Sequence, residues 1–294
     1  MQLQQLVKIF NDKCSQDQKT PNYHPFVLEN GKVSVLFNKN RIDSVVTPVH
    51  YTATPLLTAG YITQTLSSPY TPQLHHAAIA KIIPSNAISL FDRLCRTTHL
   101  LNSLSFVNDK NAFLVLEISP RHIFALKQGH GVYFAEVIRQ VGLQTSNIVV
   151  SMSLYGVYDA HHENLLLEGL KNYRALGYKI AINTGYLFSS NNLLDFVSRV
   201  SPNYLLVNAP THGYSSTESR NSLLSELYYL KQTLARTGGK LIMREIEQKS
   251  QVLLAQDAGF ELVEGKYYQS FDEFPAPSLA EYSKNTVKNY EFAG

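Results

Sequence analysis

Two kinds of apolar pattern alternate along most of this chain. From Ala87 to Leu104, AISLFDRLCRTTHLLNSL places apolar residues at helical intervals. AFLVLEIS, Ala112 to Ser119, is a short apolar run between polar clusters and reads as a buried parallel strand. A helix is expected near Tyr133 to Gln140, and then the unit repeats. NIVVSMSL, YKIAINTG, NYLLVNA and KLIMREI read as strands. ENLLLEGLKNYRALG (closed by Gly177), SNNLLDFVSRVS (capped by Ser190 or Asn191), residues 219 to 237 and SQVLLAQDAG read as the helices between them. ELVEGKYY ends the series. Short strands alternating with helices are the mark of βα units on a parallel sheet.

The first 85 residues are less regular. Met1 to Lys13 has helical spacing and leads to a polar stretch ending at Pro21. In FVLENGKVSVLFN, Phe26 to Asn38, two apolar runs flank Asn30-Gly31, a dipeptide suited to the positive φ angles of a type I′ hairpin turn. From Arg41 to Pro84, Thr, Pro and Tyr abound without a period, and the stretch reads as loops with short elements.

At least six βα-like units follow the hairpin, and no GxGxxG or P-loop spacing occurs. Count and absence together favour a closed barrel over a doubly wound sheet. The expected organisation is an N-terminal helix and polar segment over 1–25, a barrel domain over 26–275 and a polar extension over 276–294. At 294 residues, the chain has the length of one such domain.

Charge narrows the function. The formal net charge is +3, with no Lys/Arg cluster interleaved with aromatics, so direct nucleic-acid binding is not expected. No stretch approaches ~20 uninterrupted apolar residues, and the start lacks the apolar centre of a signal peptide. The expectation is a cytoplasmic protein that neither spans nor binds a membrane. Cys14 and Cys95 lie far apart without metal-ligand spacing and read as free thiols; Cys95 falls on an apolar helical face and reads as core. Asp159–Glu163 (DAHHE) and His75-His76 read as solvated segments, because adjacent side chains diverge. His122 and His130 read as isolated. Tyr267 and Tyr268 read as core.

Four segments in register resemble the EAL family of cyclic di-GMP phosphodiesterases. FLVLEISP resembles the strand "SVNLSP", and GLQTSNIVVSMSL resembles the following "EITE" strand. LGYKIAINTGYLFSSNNLLDFVSRVSPNYLLVNAP resembles "DDFGTGYSSL…PDYIKID". GGKLIMREIEQKSQVLLAQDAGFELVEGKYY resembles "IAEGVET…QGYYF". The likeness covers residues 85–275, with a weaker extension back to the hairpin. It implies a single (β/α)8 TIM-like barrel of the EAL type with one antiparallel strand. It also implies an active site at the C-terminal strand ends, where two Mg²⁺ or Mn²⁺ ions would serve phosphodiester cleavage.

Position by position, the residues here differ from the motifs. The Asn of the second motif corresponds to Glu117, and the first Glu of "EITE" to Ser151. The Asp pair corresponds to Asn183 and Thr184. The Lys and Asp of "KID" fall on Leu206 and Asn208. The first Glu of "EGVE" falls on Arg244, the second matches as Glu247, and the Gln before the last Gly falls on Glu264. A ligand-binding amide is expected near the first strand, where Asn38 stands. No Glu-Ala-Leu tripeptide follows that strand, and Thr52 to Thr54 is the stretch assigned to its place. Hard divalent ions need converging carboxylates, so this degenerate pocket is expected to hold no metal and no cofactor.

The resulting expectation is a catalytically inactive EAL-like regulator that works through a protein partner in bacterial signalling, such as motility, biofilm or transcription control. An exposed apolar patch on a barrel helix would support it. A receptor that binds cyclic di-GMP without cutting it is the alternative. A phosphodiesterase with a non-standard site built on Glu117, Glu247 and Glu264 is the last option. Arg244 reads as either a phosphate-binding group or half of an ion pair with Glu117, Glu247 or Glu264. The resemblance leaves a homodimer open.

Overall fold

The computed structural model describes residues 2–20, 22–38, 40–67, 82–107, 112–126, 129–154, 160–186, 191–211 and 217–271. His75-His76, Asp159, Ser190 and the C-terminal extension lie outside these residues.

Helix α1 (Leu3–Asp17) precedes a hairpin of β1 (Phe26–Glu29) and β2 (Lys32–Phe37). Asn30 and Gly31 have φ of 50° and 74°, the left-handed pair that the hairpin turn requires. Two long strands follow, β3 (Asn40–Tyr51) and β4 (Thr58–Ser67). They correct the reading of residues 41–84 as loops. The rest alternates helix and strand: α2 (Ile88–Ser103), β5 (Phe113–Ile118), α3 (Pro120–Ala125), α4 (Val132–Gln140), β6 (Ile148–Ser153), α5 (Ala160–Ala175) and β7 (Lys179–Gly185). It continues with α6 (Asn191–Val200), β8 (Tyr204–Asn208), α7 (Thr217–Ala235), β9 (Lys240–Arg244), α8 (Lys249–Asp257) and β10 (Leu262–Val263).

Strands β4 to β10 run in parallel and in sequence order, and β3 closes the circle between β10 and β4. Strand β3 is antiparallel to both neighbours. The result is an eight-stranded barrel with one antiparallel strand, as the resemblance implied. The β1–β2 hairpin continues the sheet outside the barrel, pairing with the start of β3.

Two asparagines finish the hairpin's edges. The Asn11 amide donates to the Phe26 carbonyl and accepts from the Phe26 N–H, both at 2.9 Å. Asn102 does the same for Val33, at 2.7 and 2.8 Å. Each side chain stands in for a missing strand and satisfies backbone groups that burial would otherwise leave unpaired.

Side-chain alternation divides the core. Outward residues of the strands, such as Leu114, Leu116, Val150, Ile180, Ile182 and Leu205, pack under the helices. Inward residues Val49, Ile62, Phe113, Val115, Val149, Ala181, Tyr204, Leu206, Ile242 and Leu262 fill the barrel, with Phe113 and Tyr204 rings 4.8 Å apart. The barrel is therefore plugged below and can hold chemistry only at its upper end. Cys95 is fully buried on α2 and Tyr268 is buried against the core, as expected. No described helix is long and apolar enough to cross a membrane.

Candidate functional site

The parity that sends Val115, Val149, Ala181, Leu206, Ile242 and Leu262 inward also sends inward the residues two positions further on. Those residues are Glu117, Ser151, Asn183, Asn208, Arg244 and Glu264. Strand register joins them: Glu117 pairs with Ser151, Ser153 with Asn183, and Asn208 with Arg244. Six of the nine positions singled out in the sequence therefore share one ring at the C-terminal ends of the strands. Leu206 lies one layer below, buried among the barrel's apolar residues.

The other three lie elsewhere. Thr184 occupies an irregularity in β7, and its hydroxyl donates to the Leu206 carbonyl at 3.2 Å, turning it toward the neighbouring backbone. Glu247 sits on the rim after β9, where its carboxylate accepts from Lys266 Nζ at 2.9 Å. Asn38 is an exposed residue of the β2–β3 turn with φ of 47°, outside the barrel, and its carbonyl accepts from Asn40. Thr52 to Thr54 also lie away from the ring. They follow β3 at the opposite end, where the Thr52 N–H bonds the Glu261 carbonyl ahead of β10.

Gln64 was missed in the sequence. Ile62 faces inward and pairs with Val115, so Gln64 faces inward level with Glu117. Gln64-Thr65-Leu66 is thus the stretch of β4 that follows the first barrel strand and reaches the mouth. Its signal was the alternation in YITQTL, hidden because both faces carry polar residues.

The centre of the mouth is an ion pair. Arg244 Nε donates to Glu264 Oε2 at 3.4 Å, and the two side chains are 10% and 4% exposed. The same carboxylate oxygen accepts the Glu245 N–H at 3.4 Å. Beside it, the Tyr186 hydroxyl donates to Glu245 Oε2 at 3.1 Å and accepts from the Asn208 amide, so a ring from β7 reaches across β8 to the turn after β9. Burial first, and then the Glu245 charge, raise the Tyr186 pKa, so this phenol stays protonated and able to donate. Asn183 is spent locally, its Oδ1 accepting the Gly185 N–H at 3.0 Å.

Backbone geometry at this end is demanding. Glu245 has φ of 59°, in the left-handed region, and it stands where the "EGVE" motif has glycine. Gly265 has φ of 155°, and a Cβ there would lie 2.2 Å from the Ile246 backbone nitrogen and oxygen. Only glycine fits after Glu264.

Two hard divalent ions would need several free carboxylates converging on one point. The ring supplies Glu117 and Glu264, and Glu264 is engaged by a guanidinium. Among the described residues no group of three or more His, Cys, Asp or Glu side chains could hold a metal ion. This donor set does not fit a two-metal centre.

A second polar cluster lies outside the barrel, behind β5. Asp92 accepts from Arg96 at 2.8 Å and from the Ser119 N–H at 3.0 Å, and His122 Nδ1 lies 3.6 Å from the same carboxylate. Arg96 also donates to the Tyr173 hydroxyl at 3.3 Å. His122 is therefore not isolated. His130 is not isolated either, since its Nε2 lies 3.0 Å from the Ile123 carbonyl. Burial lowers the His122 pKa to about 4.

No family model matches the sequence, and no curated protein matches it. Solved structures do. BlrP1 of Klebsiella pneumoniae, in a calcium and cyclic di-GMP complex, superimposes with a TM-score of 0.62 at 15% identity, covering 77% of this chain and 54% of that one. The Bacillus subtilis YkuI protein, with an EAL domain and bound to substrate cyclic di-GMP and calcium, gives 0.60 at 16%, covering 85% and 60%. A standalone EAL protein of Vibrio cholerae O395, in its cyclic di-GMP bound form, gives 0.60 at 16%, covering 77% and 90%. The chain spans a little over half the length of the first two proteins and most of the third. Its fold, a closed eight-stranded barrel with one antiparallel strand, is that of the EAL-domain proteins.

Proposed function

We propose that this protein is a catalytically inactive EAL-like regulator that acts by binding a protein partner within cyclic di-GMP signalling. The observation that carries this reading is the Arg244–Glu264 pair. A cation of the chain itself stands at the strand end that the motif assigns to a metal-binding Glu, and it engages the acid on the neighbouring strand. Leu206, where the motif has Lys, offers neither charge nor donor. Neutral Ser151, Asn183, Thr184 and Asn208 replace four further acids of the motifs.

A second reading is a receptor that holds cyclic di-GMP without cutting it. It draws support from the nucleotide bound in all three structural neighbours and from Arg244, a guanidinium suited to phosphate. Against it stand Glu117, Glu245 and Glu264, whose charges repel a dianion. Calorimetric titration with cyclic di-GMP, with and without Mg²⁺, separates the two. The regulator reading expects no heat at high nucleotide concentration. Micromolar binding with intact nucleotide recovered would replace it with the receptor reading.

A further inference from the structure

Helix α4 starts without the groups that usually steady a helix end. Its N-cap is Gly131, no side chain caps it, and no acid lies in its first turn. Glu136, further along, is paired with Lys13 at 3.0 Å. Among the described residues, no backbone carbonyl accepts the Tyr133 or Phe134 N–H. Two cations pack against this positive end instead. Arg93 and Arg96, one turn apart on α2, lie over the rings of Tyr133 and Phe134, with their guanidinium carbons 4.5 and 4.9 Å from the ring centres. Asp92 neutralises Arg96 at 2.8 Å. Arg93 has no ion pair among the described residues. Cations gathered at a helix N-terminus repel its dipole and one another, so the arrangement lacks a counter-charge.

A small cavity lies where these groups meet. Arg93, Arg96 and His122 line it from α2 and α3, and Gly131, Tyr133 and Phe134 line it from the start of α4. About 20 Å³ is open to the centre of a water-sized sphere, which is room for a single small occupant. Among the described residues no carboxylate lines it. Arg96 and His122 are each 2% exposed. His122 Nε2 lies 3.4 Å from an Arg96 nitrogen, and a guanidinium only donates, so the proton of the neutral imidazole is on Nδ1. That Nδ1 has no hydrogen-bond partner, since the Asp92 carboxylate at 3.6 Å is out of bonding reach.

We infer that this cavity, outside the barrel and behind β5, binds one monatomic anion of the size of chloride. Its surroundings offer donors and positive charge: two guanidiniums, the first-turn N–H groups of α4 and the His122 N–H. Its volume has no room for the four oxygens of phosphate or sulfate. The ion offsets the repulsion between the arginines and the helix end, and it ties α2 to the start of α4. The site is separate from the barrel mouth and is independent of any nucleotide.

The test is thermal unfolding of the chloride-free full chain as chloride replaces gluconate at constant sodium concentration and pH 7. The midpoint should rise along a saturating curve, with bromide acting as chloride does. Arg93→Gln, at a partly exposed position, should raise the half-saturating chloride concentration at least tenfold. Arg139→Gln, which removes an exposed cation from the other end of α4, should leave it unchanged. Circular dichroism verifies the fold of both variants. A parent crystal soaked in sodium bromide reads the site directly and needs no variant: an anomalous peak is expected between Arg93 and Arg96. Identical unfolding in chloride and gluconate, an unaltered chloride response in Arg93→Gln, or a soaked crystal with no bromide in the cavity would each overturn the inference.

Discussion

Arg244 and Glu264 meet at 3.4 Å inside the barrel mouth, each from its own strand end and each almost removed from solvent. Two charges in such a place stabilise little as a pair, because desolvation offsets most of their attraction, but each is costly to leave alone. Glu264→Gln or Arg244→Met is therefore expected to destabilise the protein by about 3 kcal/mol. The double variant Arg244→Met/Glu264→Leu should lose clearly less than the sum. A double-mutant cycle by urea denaturation measures this, and additive losses would mean that the two groups do not interact.

Glu245 holds a left-handed backbone at φ of 59°. Glu245→Gly removes the Cβ clash but also the exposed hydrogen bond to Tyr186. The first effect is the larger, and the variant should be about 0.5 kcal/mol more stable. Tyr186→Phe, which removes the hydrogen bonds to Glu245 and Asn208 and leaves the backbone as it is, should be slightly destabilising. Thermal unfolding of both variants decides the point.

The His122 pKa is lowered to about 4 from an unfolded value near 6.5, chiefly by burial. The unfolded chain then binds more protons between these two values, so stability falls as pH drops from about 6.5 to about 4 and levels off below. The loss from this residue is on the order of 3 kcal/mol at most. His122→Gln should flatten that part of the stability–pH curve. An equally steep curve in the variant would assign the acid sensitivity to other groups.

Asn11 and Asn102 each satisfy one residue's N–H and C=O. Asn11→Ala leaves the Phe26 groups without their partner at a buried edge, which costs about 2 kcal/mol. Asn11→Asp keeps the acceptor but loses the donor, and should fall between. Hydrogen exchange at the Phe26 amide reports the same contact locally, and is expected to accelerate in the Ala variant.

The βα half of the barrel was legible because parallel strands buried on both faces produce continuous apolar runs such as FLVLEI and NIVVSM. Strands β3 and β4 were not legible, for the opposite reason. They are 12 and 10 residues long, carry polar side chains on both faces, and β3 contains Pro48. Missing them displaced the first-strand assignments, so Asn38 and Thr52–Thr54 were credited to the mouth and Gln64 was passed over. The ring from Glu117 to Glu264 could be read only through the resemblance to the family motifs; the structure supplies the reason the positions meet, each lying two residues beyond an inward apolar residue of its strand. What the sequence could not supply was pairing. That Arg244 engages Glu264 rather than Glu117 or Glu247 depends on β9 and β10 being neighbours. The His122 cluster likewise depends on α2 packing beside α3.

The central claim, binding without hydrolysis, is tested most directly by incubating the purified full chain with cyclic di-GMP and Mg²⁺ or Mn²⁺ and separating the nucleotides by chromatography. The account predicts that cyclic di-GMP is recovered intact after prolonged incubation with either metal. Accumulation of the linear dinucleotide, abolished by Glu117→Gln or Glu264→Gln, would contradict it and establish a phosphodiesterase with a non-standard site.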